Sequence, residues 1–143
     1  MEHEDKSLIS GWLSLTNAYL SILNELEIAL KQNHDLSLNE FYVLLFLFEA
    51  SEKKLSLNQL QKMVGLSQST MSRLVVRFEA KGCGALQRNI CKEDRRSIYT
   101  SITVIGENKL EKAFVTFHNT LENAILQKDI REKLEVLLLP KTK

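Results

Sequence analysis

Residues 65–82 carry the clearest structural signal in this chain and read Gly65-Leu-Ser-Gln-Ser-Thr-Met-Ser-Arg-Leu-Val-Val-Arg-Phe-Glu-Ala-Lys-Gly82. Ser67 is placed to cap a helix. The apolar residues after it recur at i, i+3, i+4 and i+7, which puts them on one side: Met71, Leu74, Val75 and Phe78. The opposite side is polar and basic, with Gln68, Ser69, Ser72, Arg73 and Arg77. The pattern predicts a helix that packs by one face and leaves a basic face uncovered.

A shorter helix is predicted directly before this one. Ser56-Leu-Asn-Gln59 has the residues of a capping box, in which two side chains satisfy free amides at a helix start. Apolar residues then follow at helical spacing, and Gly65 can adopt the left-handed conformation that ends a helix. Two short helices joined by a glycine turn, the second with a basic outer face, are typical of a DNA-binding helix-turn-helix.

The hydrophobic period changes after Gly82. Residues 85–88 and 97–102 are short runs rich in β-forming side chains, and they flank the charged segment Lys92-Glu-Asp-Arg-Arg96. The pattern predicts a β-hairpin with a basic tip.

A central helix is predicted upstream, where Ser37-Leu-Asn-Glu40 forms a second capping box. The following residues 41–48 are almost all apolar. A buried strand has a similar pattern, but the capping box favours a helix that is apolar on all sides.

Long amphipathic helices are predicted at both ends of the chain. In residues 8–29 the apolar positions alternate in steps of three and four, and a second apolar track lies beside the first. Thr103 can cap a similar helix, and a last helix over residues 130–138 is expected to stop before Pro140. The apolar stripes are wider than one neighbouring helix can cover. Either a second subunit covers them or the terminal helices close on each other within one chain.

Charge is distributed unevenly, although the net charge of the 143 residues is only +1. Residues 1–52 contain two Lys and nine Asp or Glu, a net of −7, whereas residues 53–96 contain ten Lys or Arg and three acids, a net of +7. The basic middle would attract a phosphate backbone. A solvated basic surface without a ligand also accounts for the bias.

Several protein classes are not expected. The acidic residues 1–7 lack the start of a secretory signal, and no apolar run is long enough to cross a bilayer, so we expect a cytoplasmic protein without membrane contact. The two cysteines, Cys83 and Cys91, argue against a disulfide scaffold and cannot complete a four-cysteine zinc site. Phosphate-binding glycine loops, nucleophile elbows and zincin motifs are not found, so we expect no enzyme, cofactor or metal.

Residues 38–106 resemble the MarR family of bacterial transcription regulators. The resemblance rests on motifs in a fixed order: Leu38-x-x-x-Phe41-x-x-Leu44, Ser56-x-x-x-Leu60, Gly65-Leu-Ser-x-Ser69-Thr70-x-Ser72-Arg73, Phe78-Glu-x-Lys-Gly82, Arg88, Asp94-Arg-Arg96 and Ile102-Thr-x-x-Gly106. One departure is that Cys83 and Gly84 lengthen the connection into the hairpin by about two residues, so the first wing strand is expected to start late or to be bulged.

The resemblance implies one mainly α domain with a small β-hairpin wing, a winged helix-turn-helix over residues 37–106 flanked by dimerisation helices in residues 1–36 and 107–143. It implies a homodimer that binds a pseudo-palindromic operator in double-stranded DNA, as a repressor by expectation. The implied DNA-binding residues are Ser67, Gln68, Ser69, Thr70, Ser72, Arg73, Arg77, Arg88, Asp94, Arg95 and Arg96. In this family the arginine two places after the aspartate, here Arg96, enters the minor groove. Asp94 orients that arginine, and Arg95 lies nearer the backbone.

The resemblance also implies a small effector, often aromatic and anionic, which Trp12, Tyr19, Tyr42 and Phe46 can line. Aromatic residues at helical spacing are equally typical of an ordinary core. Three alternatives stay open: oxidation of Cys83 or Cys91 as a switch, metal sensing through distant ligands, and a winged helix that binds proteins and not DNA. The concentration of Arg and Lys on the recognition helix and wing argues against the last.

Overall fold

The computed structural model describes residues 3–90 and 98–138 of the chain. Within these ranges the chain forms helices, one 3₁₀ turn and three short strands, in this order: α1 (His3–His34), α2 (Leu38–Glu49), the 3₁₀ turn (Ser51–Lys53), β1 (Lys54–Ser56), α3 (Leu57–Val64), α4 (Gln68–Ala80), β2 (Leu86–Ile90), β3 (Ile98–Ile102), α5 (Val104–Gln127) and α6 (Ile130–Leu138). The predicted mainly α architecture with a hairpin wing is confirmed.

Both predicted capping boxes are present and fix where α2 and α3 begin. The Ser37 hydroxyl accepts from the Glu40 amide at 3.0 Å, while the Glu40 carboxylate accepts from the Ser37 amide at 2.8 Å. Ser56 and Gln59 make the same reciprocal pair at the start of α3, at 3.2 and 2.9 Å. Each box satisfies two backbone donors that a helix otherwise leaves free.

The core forms around α2, which packs against α1, α3, α5 and the sheet. Phe41, Val43, Leu44 and Leu47 are fully buried, and the Phe41 ring stacks on Phe117 of α5 with centroids 4.5 Å apart. The prediction that α2 is an apolar, central helix is confirmed for most of its length, but its last turn reaches the surface. Phe48 is 45% exposed because the chain turns into the 3₁₀ segment there, and the Lys53 ammonium of that segment lies over its ring, 5.0 Å from the centroid.

The wing is part of a three-stranded antiparallel sheet with the order β1-β3-β2. β2 and β3 form the predicted hairpin, paired from Leu86 opposite Ile102 to Ile90 opposite Ile98. β2 starts at Leu86, one residue into the predicted run 85–88, which agrees with the expected late start, and its described pairing contains no bulge. The strand β1 was not predicted; its Leu55 lies opposite Thr100. Because Ser56 ends β1 and also caps α3, the sheet is joined directly to the helix-turn-helix.

A close contact joins the wing to α5 at Gly106. A Cβ atom on this residue would lie 2.3 Å from the Ala85 carbonyl oxygen, a distance that real structures do not tolerate. The first turn of α5 therefore rests on the backbone that leads into β2, and only glycine permits this approach.

The long helix α1 is covered along only part of its length. Ile22, Leu26 and Leu30 are buried. Towards the amino end, apolar side chains lie at the surface, among them Leu8, Ile9, Trp12 and Leu13, although α6 contacts this region, with Leu137 beside Gly11. None of the helices in the described ranges has the length and apolar character that crossing a membrane requires.

Candidate DNA-binding interface

The turn between α3 and α4 sets the start of the predicted recognition helix. Gly65 adopts a left-handed conformation, with φ of 84°, and its amide donates to the carbonyl of Gln61. Two residues later the Ser67 hydroxyl accepts from the Thr70 amide at 3.2 Å and donates to the Thr70 hydroxyl at 2.7 Å. The amino end of α4 thus presents a cluster of short hydroxyl side chains beside free backbone amides.

The two faces of α4 differ as the sequence predicts. Met71, Leu74, Val75 and Phe78 are at most 5% exposed and anchor the helix in the core. On the outer side, Gln68, Ser69, Arg73 and Arg77 are exposed, while Thr70 and Ser72 are half-buried. The helix is held by its apolar side, and its polar side is open to a ligand.

A shallow concavity of about 450 Å³ lies on this outer face, lined by Thr70, Ser72, Arg73, Val76 and Arg77. The Arg73 side chain folds back so that its Nε donates to the Ser69 carbonyl at 3.3 Å. Neither Arg73 nor Arg77 forms a salt bridge with a carboxylate in the described parts of the chain. Two arginines without a compensating acid give this face a positive potential.

The wing is tied to α4 through Arg88. Its Nε donates to the Glu79 carboxylate at 2.7 Å, with both side chains partly exposed. Arg88 was predicted as a DNA-binding residue, and the structure places it in a link between β2 and the recognition helix. Asp94, Arg95, Arg96 and Cys91 lie outside the described residues, in the connection between β2 and β3.

Of the four predicted effector residues, two are half-buried and pack as a pair against the core. Tyr42 and Phe46 of α2 have ring centroids 6.3 Å apart, and Tyr42 also meets Phe117 edge-on at 6.2 Å. Burial raises the pKa of Tyr42, and the neighbouring Tyr19 raises it further, which brings Tyr19 to the edge of this group. Trp12 is exposed and makes no ring contact with the other three within the described residues.

A link that the sequence analysis missed joins the carboxyl end of α4 to the α1–α2 junction. The Lys81 ammonium donates to the Glu40 carboxylate at 2.8 Å and to the Asp35 carbonyl at 2.8 Å. Glu40 is only 5% exposed, and it belongs to the capping box of α2. Its second role has no local sequence signal, because its partner lies 41 residues away.

Comparison with known proteins gives a sequence family and a fold. Residues 25–113 match the model of the family described as transcriptional regulator SarA/Rot. No curated protein matches the chain. Among solved structures it is similar to Sco3205, a MarR family regulator from Streptomyces coelicolor in complex with DNA, with 20% identity, a TM-score of 0.79 and coverage of 99% of this chain and 92% of that one.

Two further structures extend this likeness. BldR from Sulfolobus solfataricus is 25% identical, with a TM-score of 0.74 and coverage of 96% of this chain and 95% of that one. Bordetella bronchiseptica BpsR, whose DNA binding is regulated by 6-hydroxynicotinic acid, is 20% identical, with a TM-score of 0.66 and coverage of 78% and 80%. The predicted resemblance to the MarR family is confirmed.

Proposed function

Because the chain belongs to the SarA/Rot family of transcriptional regulators, we propose that it binds a pseudo-palindromic operator in double-stranded DNA as a cytoplasmic homodimer and represses transcription there. The observation that carries this proposal is the outer face of α4, where Arg73 and Arg77 are exposed opposite a fully anchored apolar face. The major groove of B-DNA admits one α-helix, and polar side chains on it can reach the base edges.

In the proposed complex each part of the reading head has a separate task. Hydroxyl and amide side chains in the first turn of α4 reach bases, with Gln68 suited to adenine and Arg73 or Arg77 to guanine or phosphate. Arg96 enters the minor groove with Asp94 orienting it, and Arg88 fixes the angle of the wing. The proposed contact set is Ser67, Gln68, Ser69, Thr70, Ser72, Arg73, Arg77, Arg88, Asp94, Arg95 and Arg96.

A second copy of the chain is needed because one reading head makes too few contacts for operator affinity. Two heads would lie roughly 10 base pairs apart on DNA. We assign dimerisation to residues 1–36 and 107–143 and DNA binding to residues 37–106. Support comes from the apolar side chains left exposed on α1, α5 and α6, among them Trp12, Leu13 and Leu138.

A small aromatic or anionic effector is proposed to modulate DNA binding, as 6-hydroxynicotinic acid does for BpsR. The candidate residues are Tyr42 and Phe46, with Tyr19 at the edge and Trp12 two helical turns further along α1. Fluorescence of Trp12, the only tryptophan, reports on ligand binding if this region forms the site.

The function is tested by selecting genomic fragments with the purified chain and measuring affinity for them by fluorescence anisotropy. Arg73→Ala should weaken binding to the selected fragment by about 1–3 kcal/mol, since it removes a groove contact. Arg131→Ala is the matched control, because Arg131 lies on α6 and its side chain is 93% exposed. Equal affinities of Arg73→Ala and Arg131→Ala would contradict the assignment of α4 as the reading helix.

The wing is tested separately by the salt dependence of binding. Each phosphate neutralised contributes about 0.9 to the slope of log affinity against log salt. Arg96→Ala should therefore reduce the slope by about one unit, and the melting temperature should stay unchanged. An unaltered slope would mean that Arg96 contacts neither groove nor backbone.

A further inference from the structure

A second basic concavity lies away from the DNA-binding face, between the end of α1 and the first half of α5. It has a volume of about 380 Å³ and is lined by His34, Ile105, Asn108, Lys109 and Lys112. Lys109 and Lys112 are one helical turn apart on α5, so their side chains lie on the same stripe of the helix. His34 reaches this stripe from α1, and its Nε2 lies 2.7 Å from the Thr116 hydroxyl.

The positive charge of this concavity is not compensated locally. None of the five lining residues is acidic, and neither Lys109 nor Lys112 forms a salt bridge with a carboxylate in residues 3–90 or 98–138. Burial lowers the pKa of His34, and the nearby charges of Lys109 and Lys112 lower it further. The two ammonium groups are therefore close enough to the imidazole to oppose its protonation.

The acid next to His34 in the sequence, Asp35, is shared among several lysines, one of which is Lys109. Asp35 follows His34 directly, but its carboxylate pairs with Lys31 at 3.4 Å, and Lys81 is the largest cause of its lowered pKa. Lys31, Lys81 and Lys109 all lower the pKa of Asp35, and its one negative charge cannot neutralise all three lysines. An anion from solution would find four nitrogen-bearing side chains, those of His34, Asn108, Lys109 and Lys112.

We propose that this concavity binds a small, multiply charged oxyanion, either a phosphate-type anion or a short di- or tricarboxylate. Lys109 and Lys112 would provide charged donors, and the His34 ring and the Asn108 amide would provide directional hydrogen bonds. The volume is at the lower end of the range for small-molecule sites, which suits an anion of a few heavy atoms. The proposal does not depend on the function proposed above.

The position of the concavity favours a free anion over the DNA backbone. Its neighbour Asp35 is bonded through its carbonyl to Lys81, which caps the carboxyl end of α4. The hydroxyl and amide side chains proposed to reach base edges lie in the first turn of α4, at its other end, 13 residues or about 20 Å away. The site is also separate from the aromatic group of Tyr42 and Phe46, which faces Phe117.

Anion binding would be linked to protonation of His34. A bound anion favours the imidazolium form, so affinity should rise as the pH falls. The other charged groups around His34 are Lys109 and Lys112 on α5, and Lys31 and Asp35 at the end of α1. The pKa of His34 is lowered from 6.5 in the free chain, so a bound anion would shift this pKa in the opposite direction.

The test is isothermal titration calorimetry of the full chain with sodium sulfate, inorganic phosphate and citrate, at constant ionic strength set by sodium chloride. Sulfate remains a dianion from pH 6 to 8, so any pH dependence of its binding arises from groups on the protein. Lys109→Gln/Lys112→Gln should weaken binding by about tenfold or more, since it removes both charged donors. Lys62→Gln/Lys133→Gln removes the same charge from α3 and α6 and should change affinity by less than about twofold.

His34→Gln is the second variant and should abolish the pH dependence of sulfate binding while circular dichroism shows an unchanged fold. Tighter binding of sulfate and phosphate than of citrate identifies a phosphate-type ligand, and the reverse order identifies a carboxylate; both support the site. The proposal is overturned if no anion saturates beyond the chloride control, or if both lysine pairs have equal effects. It is also overturned if the Lys109/Lys112 pair changes only the salt slope of duplex binding, because the cluster would then be a DNA contact.

Discussion

The two halves of α1 have the same apolar spacing and different surroundings. In the carboxyl-terminal half, Ile22, Leu26 and Leu30 are at most 6% exposed, because α2 and α5 pack against them. In the amino-terminal half, Leu8 and Trp12 are 53% and 59% exposed, although α6 lies alongside. The same helix is therefore part of the buried core at its carboxyl-terminal end and has an exposed apolar stripe at its amino-terminal end.

This difference shows that the core around α4 is covered within one chain, whereas the amino-terminal half of α1 leaves apolar side chains exposed. The helix α4 packs against α3 and β2 of its own chain, and its buried residues belong to the single hydrophobic core of the described residues. The exposed apolar residues of α1 form a contiguous stripe and are not scattered singly over the surface. Contiguous apolar patches of this kind are typical of an interface. A substitution should therefore change folding in one half of α1 and assembly in the other.

The largest effect is expected in the buried half. Leu30→Ala should lower the free energy of unfolding by about 2–5 kcal/mol, because Leu30 is fully buried and its loss leaves a cavity. Urea denaturation monitored by circular dichroism measures the change. Leu13→Ala is the control in the amino-terminal half, at a position 53% exposed, and a similar loss there would remove the contrast between the halves.

The exposed half should respond in assembly. Trp12→Asp places a charge on the bare stripe and should raise the dimer dissociation constant by about 30-fold or more, since an aromatic anchor contributes about 2 kcal/mol or more. Sedimentation velocity over a dilution series measures it. Asn24→Asp adds the same charge to another exposed position on α1 and should leave the constant unchanged. A monomeric wild-type chain would mean that the stripe has another purpose.

A smaller effect is expected where the buried half ends and the reading head is attached. Lys81→Met removes the cation beside Glu40 and should cost about 1–3 kcal/mol of stability, because the carboxylate stays buried without its partner. The expected loss of stability is smaller than for a fully buried ion pair, because solvent reaches the Lys81 side chain, which is 24% exposed. In Lys81→Met/Glu40→Gln the unpaired charge is gone, and part of the stability should return. A double variant less stable than either single variant would exclude this explanation.

The smallest effect is a pH dependence at the last turn of α1. The folded-state pKa of His34 lies below 6.5, so the unfolded chain takes up its proton first as the pH falls. The contribution of His34 to stability is present above pH 6.5 and should decline below it, in chloride buffers without oxyanions. The pKa of Asp35 is also lowered, from 3.8, so the contribution of Asp35 to stability declines only below pH 3.8. This range does not overlap with the range in which the contribution of His34 declines. Urea midpoints from pH 8 to 5 should show a shallower decline in His34→Gln than in the wild type.

Local signals allowed most of the helices to be predicted, because their causes lie within a few residues. Ser37 with Glu40, Ser56 with Gln59 and Gly65 each act over one turn, and the spacing of Met71, Leu74, Val75 and Phe78 defines the buried side of α4. The DNA-binding candidates on α4 followed from the same spacing. Their side chains lie on the outer face for that reason.

Features that depend on distant partners could not be predicted. β1 has only three residues, and its pairing with Thr100 and its neighbours becomes visible only when β3 is placed. The bond between Lys81 and Glu40 spans 41 residues. The two halves of α1 look alike in sequence, because burial depends on which elements lie opposite. For the same reason, Trp12 could not be separated from Tyr42 as an effector candidate.

The missing side chain at Gly106 has a mechanical consequence. α5 leaves the wing at this point and runs for 24 residues, or about 36 Å. A tilt of about 5° at the Gly106 contact would displace the far end of that rod by about 3 Å, by the geometry of a rigid helix. A change too small to disturb the sheet can therefore move the far end of α5 relative to the wing.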